Sequence, residues 1–280
     1  MTKQAIAKNS ANIRVPFSGA FLPLAMEFAD KGARGFGYGN RETAGLVLAV
    51  EELFSFYAER AAVGSAAEIE LEDQGFRLAL SISFRAANPD MRAFNLTWRP
   101  SHDSEESLAM LGPMIAARSV SGLRLDFGSD ERVVIFVTRD RNYPPAGVVA
   151  LPPPDAAGAM RLVDPVPDDL RHFAAMTVAS GSPFIPSFLA RPGMAADMFG
   201  AGHLHGVLAL KGDWIAGGVL WRPLTATCIE LYGPYLFGDD PDDTCLTMLL
   251  DEAIGRISRS SYLGLMRRQG TLPGHERFFD

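Results

Sequence analysis

At 280 residues, with 48% hydrophobic, 21% charged and 10% aromatic side chains, the chain has an ordinary globular composition and enough length for about two domains of ~150 residues. This excludes intrinsic disorder, a collagen-like repeat and a coiled coil. The formal charge is −7, from 26 basic and 33 acidic residues. Neither half is basic, so general contact with a nucleic-acid backbone is not expected.

Two cysteines, Cys228 and Cys245, are too few for a disulfide framework and lack paired metal-ligand spacing. The opening MTKQAIAKNSANIRV has no apolar core of signal-peptide length, and no apolar run reaches ~18 residues. The expected location is the cytoplasm, with no membrane partner.

In chain order, Ile13, Val15 and Phe17 alternate as in a strand. Residues 20–31 read as a short helix, followed by a glycine-dense loop holding Gly32, Gly35, Gly37 and Gly39. The run TAGLVLAVEELFSFYAERAA sets Leu46, Val50, Leu53 and Tyr57 on one helical face. Period-two strands follow around Ile69 and Leu71, from Leu78 to Phe84, and from Leu123 to Phe127. RVVIFVT at 132–138 is nearly continuous and is expected to be buried on both faces. Between them Gly112-Pro113 opens a helix, proline being tolerated in its first turn.

Residues 141–159, RNYPPAGVVALPPPDAAGA, are proline-rich and predict a semi-rigid linker between domains at 1–140 and 160–280. Beyond it, VDPVPDDLRHFAAMTVAS reads as a helix with acidic residues at its N-terminal end. GHLHGVLALKGDWIAGGVLW reads as two strands joined at Lys211-Gly212-Asp213. ATCIELYGPYLF is a further strand, a helix covers about 244–258, and SYLGLMRR closes as a last strand. The expected fold class is α+β, two domains.

On the long helix Glu52 and Phe56 lie four residues apart, on one face. With LAVEELFSF, the run from Ile13 to Arg139 resembles the histidine-kinase-like ATPases, nearest to the serine-kinase anti-sigma factors. The resemblance implies an α/β sandwich, ATP as cofactor and a sigma- or switch-type protein partner. It implies that Glu52 prepares the attacking group; Phe56 stands where an asparagine would hold Mg²⁺, and a phenyl ring offers no oxygen ligand. The adenine-recognising aspartate falls at Asp90 in SFRAANPDMRAF, with Arg92 in place of the motif's glycine, or else Phe84 occupies its position. The glycine-rich lid is reduced to Gly112. Glu52 also reads as a solvated helix glutamate and Asp90 as a turn residue.

Residues 160–280 resemble the GNAT acyltransferase fold in element order and in the hairpin around LKGDWIAGG. That resemblance implies acetyl-CoA as cofactor and Glu230 as general base. Glu230 equally reads as an outward-facing strand residue. The loop at 237–243, where pyrophosphate would sit, holds Asp239, Asp240, Asp242 and Asp243, which repel an anion and suit helix capping, with a Ca²⁺ site as the alternative. His203 and His205 form an H-x-H pair read as strand-end polar residues rather than metal ligands, and Cys228 as a small buried side chain. GARGFGYGN lacks the context of a dinucleotide fingerprint.

The combined expectation is a regulatory or protein-interaction module rather than an enzyme. An N-acyltransferase and an ATP-binding sensor or serine kinase are the alternatives.

Overall fold

In β2 (Ala66–Asp73) Ala67, Ile69 and Leu71 are buried while Glu68 and Glu70 are exposed. That alternation orients a sheet with one face inward. The computed structural model describes residues 9–62, 64–86, 111–128, 130–151, 153, 158–182, 184–238 and 243–267. The chain divides into two units, Met1–Asn142 and Tyr143–Asp280, and each combines helices with one five-stranded sheet, an α+β fold.

The first sheet adds β1 (Asn9–Pro16), β3 (Arg77–Arg85), β4 (Gly122–Phe127) and β5 (Arg132–Asp140), in the order β1-β2-β3-β5-β4. All its pairings are antiparallel. Helices α1 (Leu22–Gly35), α2 (Asn40–Ala58) and α3 (Leu111–Ser119) pack side by side, with α1 against β2 and α2 against β5. Leu46, Val50, Leu53 and Tyr57 of α2 are fully buried, as the helical spacing predicts. Each large apolar side chain so buried contributes ~1.5–3 kcal/mol.

Two expectations change here. β5 is not buried on both faces: Val133, Ile135 and Val137 face inward, whereas Val134, Phe136 and Thr138 are half-buried. An antiparallel sheet covered on one side leaves its other side to solvent. The first helix also runs on through Gly32 and Gly35. Gly32 is the close-approach point, since a Cβ there would lie 2.5 Å from Leu71 Cδ2. Of Gly32, Gly35, Gly37 and Gly39, only Gly37, at φ +80°, uses the glycine backbone for a turn.

The second sheet runs β10-β9-β8-β7-β6, built from β6 (Met160–Val163), β7 (His205–Lys211), β8 (Trp214–Pro223), β9 (Cys228–Leu236) and β10 (Gly264–Arg267). β6 to β9 pair antiparallel, while β10 runs parallel to the first half of β9. The β7–β8 turn is the two residues Gly212 and Asp213, with Gly212 at φ +61°. One face is covered by α6 (Thr244–Ile257), whose Cys245, Leu246, Leu249 and Leu250 pack on Val207, Val219, Ile229 and Leu231. On the other face Phe173, from α4 (Pro167–Ala179), meets Tyr235 and Phe237 at centroid distances of 6.0 and 5.6 Å. α4 packs with α5 (Pro192–Gly200). The sequence reading lacked β6 and α5, both short.

The proline-rich stretch is anchored where it begins. Arg141 stacks 4.1 Å from the Tyr38 ring centroid, donates to Gly75 O at 2.6 Å and pairs with Asp73 at 3.2 Å. The Asn142 amide donates to Glu42 Oε1 at 3.1 Å. Within the second unit, the Tyr143 hydroxyl donates to Asp197 at 2.7 Å, and the Ala146 amide donates to Ala190 O at 3.1 Å.

Candidate functional site

In the first unit α2 carries Glu52, Phe56 and, just past its end, Arg60, each one helical turn from the last. Phe56 is 5% exposed and belongs to the apolar core, edge-on to Tyr57 at 4.9 Å. The Arg60 guanidinium lies 3.8 Å above the Phe56 ring centroid and donates to Phe56 O at 2.7 Å. A fixed cation therefore covers an aromatic ring at the position where the family resemblance implies an amide and a metal. No oxygen ligand is offered by this side chain, so the residues present do not fit the Mg²⁺ that the resemblance implies.

Glu52 is half-buried, and it is brought together with Gly112. A Cβ on Gly112 would lie 2.7 Å from Glu52 Oε2 and 3.6 Å from Glu52 O. The carboxylate thus abuts the first turn of α3, where the helix dipole favours negative charge. Gly112 serves close packing at this point. Asp90 lies outside the described residues, as does Arg92. Phe84, the alternative for that position, is 3% exposed and packs against Phe17 and Tyr57, with centroids at 4.7 and 5.1 Å.

In the second unit the reading of Glu230 as an outward-facing strand residue is corrected. Glu230 is 2% exposed, on β9, and directly opposite Arg222 of β8. Its Oε2 accepts from Arg222 Nη2 at 2.9 Å, from Arg222 Nε at 3.2 Å, and from the Tyr232 hydroxyl. Phe188 packs edge-on against Tyr232 at 5.0 Å. The strand alternation is re-phased just beyond: Gly233, at φ +89°, precedes a cis bond to Pro234, and the β8–β9 register shifts between Gly218 and Leu220. Tyr232 pairs with Leu220 and Tyr235 with Gly218, so residues three apart share one face. Burial pushes the Tyr235 hydroxyl well above its usual range, and it donates to Phe184 O at 3.0 Å.

The acidic loop falls largely outside the described residues, at 239–242. Asp243 occupies the N-cap position of α6 in a left-handed conformation, φ 51°, without a side-chain cap bond. His205 opens β7, at a strand end as expected, and His203 lies two residues before it; His205 stacks on Trp221 at 6.2 Å. Among the described residues there is no cluster of three or more metal-ligating side chains. Cys228 is half-buried and Cys245 is buried. Among the described residues, no helix is long and apolar enough to cross a membrane.

Arg60, Arg222 and Tyr232 are the site residues that the sequence reading missed. The i, i+4 spacing of Phe56 and Arg60 could have suggested a cation–aromatic pair. The Arg222–Glu230 contact depends on strand register, which spacing alone does not give.

No protein-family model matches the chain, and no curated protein matches it. Among solved structures, it is similar to the RsbU and RsbW domains of a Mycobacterium tuberculosis protein. That likeness has 16% identity and a TM-score of 0.34, covering 48% of this chain and 33% of the other. A predicted acetyltransferase with acetyl-CoA from Clostridium acetobutylicum aligns at 11% identity and TM-score 0.36, over 43% of this chain and 88% of that one. A ribosomal-protein-alanine N-acetyltransferase from Brucella melitensis biovar Abortus aligns at 16% identity and TM-score 0.33, over 44% and 88%. Similar solved structures thus include both kinds that the two halves of the sequence resemble.

Proposed function

We propose that this protein is a regulatory, protein-binding module whose first unit keeps a kinase-like ATPase scaffold without phosphoryl transfer. The observation that carries this reading is the Phe56–Arg60 stack, one turn from Glu52. Phosphoryl transfer depends on a metal that neutralises charge on the phosphates, and a core phenyl ring under a guanidinium cannot ligate one. A scaffold without transfer chemistry retains surface recognition, and the partner it suits by resemblance is a sigma- or switch-type protein in the cytoplasm.

Thermal melts with ATP, with and without Mg²⁺, test the reading. No stabilisation by ATP is expected, with or without magnesium, and no labelled phosphate should reach a bound protein. Magnesium-dependent phosphorylation of a partner, abolished by Glu52→Ala, would overturn it. A magnesium-indifferent shift alone would make the first unit an ATP sensor. A ligand at 100 times its dissociation constant stabilises by about 2.7 kcal/mol, well within reach of the method.

A second reading, an acyl-CoA-dependent N-acyltransferase in the second unit, is favoured by Glu230 itself: a buried carboxylate hydrogen-bonded to Tyr232. Release of CoA from acetyl-CoA with an amine acceptor, lost in Glu230→Gln, would support it.

A further inference from the structure

The Arg222–Glu230 pair is placed where the fold has no use for charge. The two residues face each other one pair in from the end of the β8–β9 ladder, with the Glu230 carboxylate buried, and an apolar pair of similar volume at such a position is often neutral or stabilising. What the pair does achieve is the orientation of one guanidinium. Glu230 Oε2 takes both Nε and Nη2, and the Tyr232 hydroxyl reaches the same oxygen, fixing the carboxylate in turn.

Rings on two sides confine the guanidinium, with its carbon 5.5 Å from the Tyr232 centroid and 5.9 Å from that of Phe188. The Arg222 side chain is nonetheless 31% exposed, whereas that of Glu230 is 3% exposed. Among the described residues Nη1 makes no hydrogen bond, so the outer edge of the planar fork faces away from Glu230 with its donors unused. A guanidinium held along one edge and open along the other matches the two oxygens of a carboxylate or phosphate.

We infer that Arg222, presented by Glu230 and Tyr232, is the anchor of a binding site in the second unit for the oxyanion of a small carboxylate- or phosphate-bearing ligand. The inference is independent of the first unit and of the regulatory reading. It makes Glu230 a positioning residue rather than a base.

The test uses the full chain with three probes of similar shape: benzoate, phenyl phosphate and uncharged benzyl alcohol. Binding is followed by the Arg222 Nε resonance in ¹⁵N-arginine-labelled protein, assigned with Arg222→Lys. One of the two anions should shift that resonance saturably with a millimolar dissociation constant, the better one identifying carboxylate or phosphate as the natural group. Benzyl alcohol should leave it unmoved. Arg222→Met alone strands a buried carboxylate and risks misfolding. The paired variant Arg222→Met with Glu230→Leu therefore accompanies it, expected to keep the circular dichroism of the parent and to bind the anion at least tenfold more weakly by calorimetry. Equal response to benzyl alcohol, no response to either anion, or undiminished binding by the folded paired variant would each overturn the proposal.

Discussion

Phe56 shows how one side chain can redirect a helix. At 5% exposure its ring is part of the core, so Phe56→Asn removes apolar burial and introduces a buried amide, and a loss of about 3 kcal/mol or more is expected by denaturant titration. With Arg60 still bonded to the carbonyl of residue 56, that variant is expected to gain no magnesium-dependent binding of ATP. Glu52 and Gly112 are coupled by contact. Gly112→Ala should lower stability by ~1 kcal/mol, and Glu52→Ala should relieve part of that loss, giving a measurable interaction in a double-mutant cycle. Tyr235 gives a pH signature. Its hydroxyl binds its proton more tightly when folded than when unfolded, so its contribution is complete below about pH 10 and is lost as pH rises beyond that. Alkaline unfolding should accordingly be less steep in Tyr235→Phe.

Among the elements, the contact between α2 and the end of α3 is set by a glycine. A Cβ on Gly45 would lie 2.5 Å from the backbone oxygen of Ser119, and that oxygen is held by Arg139 Nη1 at 2.9 Å while the Ser119 hydroxyl donates to Gly45 O at 3.0 Å. Backbone cannot yield as a flexible side chain can. Gly45→Ala should therefore separate the two helices and destabilise by ~1–3 kcal/mol, with hydrogen exchange rising first in α3. Helix α2 and strands β2, β3, β8 and β9 were legible because each carries a period of apolar residues long enough to stand out. Strand β6, with four residues, and α5, with nine, contain too few repeats for that. The extension of α1 was hidden by its glycines, which the sequence presents as turn residues and the packing on Leu71 uses as space.

For the whole molecule, the two units hold separate cores. The first ends on the contacts of Arg141 and Asn142 rather than at residue 140, where composition places the change to linker. A fragment of residues 1–142 should consequently be more stable than one of residues 1–140. The difference should appear in thermal melts as a few degrees, since each kilocalorie shifts a domain of this size by ~2–4 °C. A common melting temperature for the two fragments would show that these contacts add nothing measurable.

The sequence by itself determined the class of fold and most of its elements, because burial of an apolar face imposes a periodicity that can be read one residue at a time. It also determined that an aromatic residue follows Glu52 by one turn. Tertiary structure alone decided that this ring lies under a guanidinium, that Gly112 meets Glu52, and that Glu230 is buried against Arg222. Those are contacts between residues whose distance along the chain carries no signal. They arise from strand register and helix packing, which follow from the summed burial of the whole unit rather than from any local pattern.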